Sequence, residues 1–139
     1  MKNVIIRIKG TQGLGEDKSV IEFSSEGTLA RSGEGFRLNY CEDAITEGRG
    51  SIKTTLTAEK NSIVLEREGA ISSKLLIEKG VRNNCFYSVP EGNLTLGIFG
   101  KEVDVRLNGN GGKIRMVYTL DTNMQLISEN TVEINVRER

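Results

Sequence analysis

The sequence contains no histidine, and this absence removes several classes of enzyme from consideration. Without an imidazole there is no Ser-His-Asp or Cys-His nucleophile, no His-Glu-x-x-His zinc site and no imidazole proton shuttle. General acid–base chemistry would have to use carboxylates, lysine, tyrosine or cysteine. The sequence therefore favours a protein that is not an enzyme and that uses no metal and no cofactor.

An excess of charge of either sign is also lacking. The 19 Lys and Arg residues balance the 19 Asp and Glu residues, and the formal net charge is zero. No cluster of basic residues stands out along the chain. Long-range attraction to a polyanion needs such an excess or cluster. We therefore expect neither nucleic acid nor a membrane surface among the partners.

The sequence contains no long apolar run. The first segment, MKNVIIRIKGTQG, is an example. Its apolar run covers three residues and is followed by Arg7 and Lys9, which is too short and too charged for a signal peptide. We expect a cytoplasmic protein. Cys41 and Cys85 are then most simply two reduced thiols, and their separation matches no paired zinc-ligand spacing.

Proline occurs once and glycine 16 times. The glycines lie between short segments in which apolar and polar residues alternate. We count roughly ten such segments of about five to eight residues, which is typical of an antiparallel all-β meander. GTQGLG and NGNGGK lack the spacing of phosphate-binding loops and are interpreted as hairpin turns. VPEG, with Pro90 in second position, fits a type I turn.

A closed barrel is favoured over a sandwich because the connections are short. Strands joined in this way pair with their sequence neighbours, and closing the resulting sheet removes its two edges. A sandwich would need a longer crossover, for which only CEDAITEGRG is a candidate. We predict one domain, residues 1–139, with an antiparallel meander closed into a β-barrel of about eight to ten strands.

Several polar residues share the parity of apolar neighbours and are therefore predicted to face the interior. Glu42 continues the face of Phe36, Leu38 and Tyr40. The other members of this group are Thr54, Arg67 and Tyr118. An inward guanidinium needs a carboxylate partner, because a buried unpaired charge costs several kcal/mol. Glu42 is the candidate partner of Arg67.

This group predicts a binding site for a small amphipathic or anionic molecule inside the barrel. Pockets of that kind have apolar walls and a few convergent polar groups. Arg67 would orient an anionic group, Glu42 would hold Arg67, and Tyr40, Thr54 and Tyr118 would offer hydrogen bonds.

Other interpretations stay open at this point. Glu42 and Arg67 lie near strand ends, where side chains reach water, and one β-bulge would turn either residue outward. The barrel could also be fully packed and act as a homodimer through an outward patch such as Val117 with Phe99, or through an edge strand. A further alternative is an enzyme that uses Glu42 as general base and Arg67 as an electrostatic stabiliser.

Five segments in this order resemble the YwiB-like family of uncharacterised bacterial proteins: GFRLNYCE, SIKTTLTA, SIVLEREG, YSVPEGNLTLGIFG and GGKIRMVYTLD. The similarity spans nearly the whole chain. It implies a calycin-type barrel, the architecture of lipocalins, and a bacterial cytoplasmic setting, but it supplies no ligand and no catalytic residue. The sequence departs from secreted lipocalins because it has no tryptophan for their Gly-x-Trp motif.

Overall fold

The structure is a computed structural model that describes residues 1–42, 52–69, 72–89 and 92–139. Every helix or strand within these ranges is a β-strand. The ten strands are β1 (Lys2–Leu14), β2 (Asp17–Ser32), β3 (Gly35–Cys41), β4 (Ile52–Ala58), β5 (Ser62–Gly69), β6 (Ser72–Glu78), β7 (Arg82–Val89), β8 (Gly92–Asn108), β9 (Gly111–Thr122) and β10 (Gln125–Glu138). None of the described residues forms a helix long and apolar enough to cross a membrane.

The strands follow one another around a closed barrel in which each strand pairs with its sequence neighbours and β1 pairs with β10. All ten of these pairings are antiparallel. This confirms the predicted all-β meander closed into a barrel, and the architecture is consistent with a calycin-like barrel. The segment CEDAITEGRG beyond Glu42, together with Pro90, lies outside the described residues.

The period of two in the sequence determines which side chains form the core. In β4, Ile52, Thr54, Leu56 and Ala58 are buried, whereas Lys53 between them is exposed. The same alternation in the other strands directs aliphatic side chains inward. One apolar cluster with members in all ten strands fills most of the barrel.

Several strands are longer than the sequence predicted, and the difference arises at glycines. Gly10 and Gly13 in GTQGLG pair with both β2 and β10, so β1 continues through them and the turn lies between Leu14 and Asp17. This part of the turn prediction was wrong. Gly100 likewise lies within β8, at a β-bulge, and does not divide two strands. The turn predicted at NGNGGK is present between β8 and β9.

The outward apolar patch suggested by Val117 and Phe99 is not formed as predicted. Phe99 is 36% exposed, but Val117 is only 8% exposed. Val117 lies opposite Glu102 and Thr131 on the neighbouring strands, next to the bulge in β8. With so small an exposed fraction, Val117 offers little surface to a partner.

Both cysteines are free thiols in different surroundings. Cys41 is exposed at the end of β3, and Cys85 is buried in β7. Burial raises the pKa of the Cys85 thiol. Cys85 therefore acts as a small apolar core residue and not as a reactive nucleophile.

Among the described residues, the junction between β6 and β7 has the shortest pairing in the barrel. Within the described ranges, Ser72–Lys74 and Phe86–Ser88 are the residues that pair there. Beyond them, Asn83 bridges the two strands with its side-chain amide. Its Nδ2 donates to the carbonyl oxygen of Leu76 at 3.3 Å and to Oε1 of Glu78 at 3.1 Å. A side chain thus replaces part of the missing backbone ladder.

An ion pair on the outer face connects β7 with β9 across β8. Arg82 donates from Nε to Oδ2 of Asp121 at 3.0 Å and from Nη2 to Oδ1 at 2.6 Å. The guanidinium crosses β8 at Gly97, where a Cβ atom would lie 2.2 Å from Nη2. The hydrogen bonds from Arg82 lower the pKa of Asp121.

The turn between β9 and β10 has both central residues in the left-handed region, with φ of 50° at Asn123 and 70° at Met124. A two-residue turn of this kind favours Asn-Gly, because a side chain at the second position is strained. We expect Met124→Gly to raise the free energy of unfolding by about 0.5–1 kcal/mol, since relief of strain outweighs the greater freedom of glycine in the unfolded chain. Urea denaturation would measure the change. Met124→Ala keeps the strain and should bring no such gain; an equal gain from alanine would contradict this explanation.

Candidate functional site

Three of the residues predicted to face the interior are neighbours across adjacent strands. Tyr40 in β3 lies opposite Thr54 in β4, and Thr54 lies opposite Arg67 in β5. No register shift occurs in these pairings, so the inward parity continues to the end of each strand. Tyr40 and Thr54 are buried, and the Arg67 side chain is 21% exposed.

Glu42 follows β3 and completes this group. Its backbone N–H donates to the carbonyl oxygen of Ile52 at 2.8 Å, which continues the β3–β4 ladder by one residue. Its side chain is 3% exposed. The carboxylate oxygen Oε2 accepts hydrogen bonds from Nε of Arg67 at 2.9 Å and from Oγ1 of Thr54 at 2.8 Å. The ion pair inferred from parity is therefore present, and Glu42 is directed into the barrel.

The electrostatics of the group follow from its burial. Burial, together with the negative charge of Glu42, raises the pKa of the Tyr40 phenol far above its usual value. Burial alone would lower the pKa of Arg67, but the charge and the hydrogen bond of Glu42 outweigh it, so the pKa of Arg67 is raised. Arg67 is thus a fixed cation and Tyr40 a neutral hydroxyl.

Tyr118 reaches the same region from β9. It is 8% exposed, and its phenol interacts electrostatically with Tyr40 and Arg67. The structure therefore brings together all five residues that the sequence suggested. Whether they bind a ligand stays a prediction.

A cavity of about 210 Å³ occupies the end of the barrel where these residues lie. Tyr40, Glu42, Arg67 and Tyr118 line it, whereas Thr54 is not part of its wall and supports Glu42 from behind. The rest of the wall is largely apolar: Ile8, Ile21, Phe23, Ile52, Leu65, Met116, Leu120, Val132 and Ile134. The interior is thus hollow at the end where Glu42 and Arg67 lie.

Sequence reasoning missed four polar residues of the wall, Thr11, Gln12, Ser19 and Asn130. Asn130 is 5% exposed, and its Nδ2 donates to Oγ of Ser128 at 3.1 Å. It has the parity of Val132 and Ile134, so the rule that selected Glu42 could have found it. Gln12 was missed because its segment was assigned to a turn.

The site has no arrangement suited to a metal ion. Within residues 1–42, 52–69, 72–89 and 92–139, no three His, Cys, Asp or Glu residues come together as ligands could. The described wall offers one guanidinium, one carboxylate, two phenols, two side-chain amides and two aliphatic hydroxyls on an apolar surface.

The fold is similar to that of a protein whose crystal structure is known. The crystal structure of the YwiB protein from Bacillus subtilis superposes with a TM-score of 0.82 and 19% sequence identity, covering 96% of this chain and 91% of that one. At this identity the similarity concerns the fold alone.

No curated protein matches the sequence. Residues 6–134 match the family described as Domain of unknown function (DUF1934). Together with the similarity to YwiB, this match confirms the resemblance that the five sequence segments indicated. The chain belongs to this family, because the match covers nearly all of it.

Proposed function

We propose that this protein binds a small molecule inside the barrel, without catalysis, in the cytoplasm of a bacterium. The molecule has an apolar body and an anionic or hydrogen-bond-accepting head. One observation carries the proposal: the cavity combines an aliphatic wall with a guanidinium that a buried carboxylate holds in place.

The size of the cavity limits the ligand. Pockets for drug-sized molecules usually measure about 300–1,000 Å³, whereas an apolar cavity of about 150 Å³ already accepts benzene. A volume of about 210 Å³ lies between these values and suits a short chain or a single ring. Long-chain lipids do not fit within it.

The polar groups favour an acceptor as the head of the ligand. A guanidinium carries five N–H donors, and the bond to Glu42 uses Nε. The charge of Glu42 offsets that of Arg67, so attraction over a distance is small. Selectivity for the head would come from short, charge-assisted hydrogen bonds, which are about twice as strong as neutral ones.

The arrangement of Glu42 supports binding without catalysis. It is the one carboxylate among the described residues of the cavity wall, and its Oε2 already accepts hydrogen bonds from Arg67 and Thr54. These contacts suit a group that fixes the position of Arg67.

Isothermal titration calorimetry with octanoate and 1-octanol tests this proposal. The two probes share an alkyl chain and differ in the head. We expect octanoate to bind about tenfold more tightly than octanol, because a charge-assisted bond to Arg67 adds about 1.4 kcal/mol. The Glu42→Gln/Arg67→Met double variant should remove this preference and retain weak binding of the chain.

A variant that fills the cavity provides a second test of the proposal. Val132→Phe adds volume to the wall of the cavity, whereas Val105→Phe makes the same change at a residue outside the wall. Binding of both probes should be lost in the first variant and kept in the second. The proposal fails if neither probe binds the wild-type protein, or if Val132→Phe binds as the wild type does.

A further inference from the structure

Gly10 lies inside β1 at a position where neither the backbone nor the packing requires a glycine. Its φ is outside the left-handed region, and it pairs with Ile21 of β2 and Val132 of β10 without a register shift. Every other glycine within a described strand has a positive φ or would place a Cβ atom within 3 Å of another atom. At Gly10 a Cβ atom would meet no atom of the described residues within 4 Å, apart from its chain neighbours.

The space in front of Gly10 belongs to the cavity. Gly10 has the parity of Ile6 and Ile8, whose side chains are buried in the core. It is part of the cavity wall, and so are Ile21 and Val132, its partners on the two neighbouring strands. The cavity therefore extends to the backbone of β1, and Ile21 and Val132 lie on either side of a recess.

A glycine inside a strand weakens the strand. It loses more conformational freedom on folding than any other residue, and it adds no side chain to the packing. Such glycines mark a bulge, a tight bend, or a place where another backbone or a ligand approaches closely. The unshifted register at Gly10 excludes a bulge, and no described backbone approaches it. A bend and a ligand are the two explanations that remain, and the position of Gly10 in the cavity wall favours the ligand.

Gly10 and Arg67 lie on nearly opposite sides of the barrel. In the closed order of strands, three strands separate β1 from β5 in one direction and five in the other. Both residues line the same cavity. A ligand whose head contacts Arg67 therefore reaches Gly10 with the far end of its apolar body.

We propose, on the basis of the ligand binding proposed above, that Gly10 determines which apolar groups the site accepts. The recess at Gly10 receives the far end of the ligand, between Ile21 and Val132, while Arg67 holds the head. In a cavity of about 210 Å³, one added methyl group removes a substantial part of the space at this end. The ligand is thus an amphiphile whose apolar end fills the recess, and the residue at position 10 sets the size of that end.

Isothermal titration calorimetry of Gly10→Ala with octanoate and 1-octanol tests this role. Both probes should bind about tenfold more weakly than they bind the wild-type protein, because one methylene group in an apolar pocket changes discrimination by roughly 10–200-fold. The preference for octanoate over octanol should persist, since Arg67 is unchanged. Gly109→Ala adds the same methyl group in the turn between β8 and β9, outside the described cavity wall, and should bind both probes as the wild type does.

Urea denaturation without a probe separates this role from a structural requirement for glycine. Gly10→Ala should raise the urea midpoint, because alanine suits the backbone conformation of Gly10 and loses less freedom on folding. A lower midpoint would show that a bend in β1 needs glycine, and it would overturn the proposal.

The remaining outcomes distinguish the role of Gly10 from the proposed function. If Gly10→Ala binds octanoate as tightly as the wild type, the role of Gly10 is overturned and binding in the cavity stands. Loss of the preference for octanoate in Gly10→Ala would show that the substitution acts through Arg67, which would overturn the role of Gly10 as well. If the wild-type protein binds neither probe, the proposed function fails, and the role of Gly10 fails with it.

Discussion

Replacing Arg67 with methionine is expected to lower the free energy of unfolding by about 3–5 kcal/mol, because the change leaves the Glu42 carboxylate buried without its cation. Glu42 is 2% exposed, so bulk water solvates its carboxylate only slightly. The hydroxyl of Thr54 remains as a donor, but one neutral hydrogen bond does not offset a buried charge. Urea denaturation at neutral pH measures the loss.

Two further variants establish that the effect comes from the unpaired charge. Arg106→Met makes the same substitution in an exposed ion pair with Asp104 and should cost no more than about 1 kcal/mol. The Glu42→Gln/Arg67→Met double variant has no unpaired charge and should recover most of the stability lost in Arg67→Met. If Arg67→Met and Arg106→Met were equally mild, the buried pair would not have the energetic role assigned to it.

Substituting alanine for Gly100 is expected to cost about 2–4 kcal/mol, through overpacking and lost backbone hydrogen bonds. A Cβ atom at this position would lie 2.2 Å from the carbonyl oxygen of Glu78. The backbones there are held together by Gly80 N–H donating to the Gly100 carbonyl at 2.8 Å and by Gly100 N–H donating to the Val81 carbonyl at 3.3 Å. Separating them breaks both bonds, since backbone atoms cannot rotate away as a side chain can.

Gly109 provides the matched control for this substitution. It lies in the turn between β8 and β9, and a Cβ atom there would meet nothing within 4 Å. Gly109→Ala should therefore leave the thermal midpoint nearly unchanged, while Gly100→Ala lowers it by several degrees. Equal midpoints for the two variants would show that β8 relaxes around the added methyl group at no cost.

The interior of the barrel could be predicted from the sequence wherever the period of two is unbroken. Strands β3, β4 and β5 pair without a register shift, so parity correctly placed Glu42 and Arg67 on the same side as Leu38 and Leu65. The same rule applied to β10 would have indicated Asn130. The ion pair between these two residues could also be predicted, because a buried guanidinium needs a carboxylate partner.

The sequence was less informative where glycines occur inside strands. A glycine signals a turn, a bulge or a close contact between backbones, and composition alone does not distinguish these. Gly100 lies inside β8, where its lack of a side chain admits the carbonyl of Glu78. Val117 was misjudged for another reason, since parity gives the face of a residue but not how far its neighbours on that face cover it.

Only three pairs of described residues join β6 to β7, and we expect the barrel to separate first along this junction in thermal fluctuations. Rupture there needs few broken hydrogen bonds, whereas β1 is held by long ladders on both sides. The backbone amide hydrogens of β6 then exchange with solvent through local opening. Those of β1 exchange only through global unfolding. Opening along this line leaves strands β1–β5, β9 and β10, whose side chains line the cavity, paired with one another.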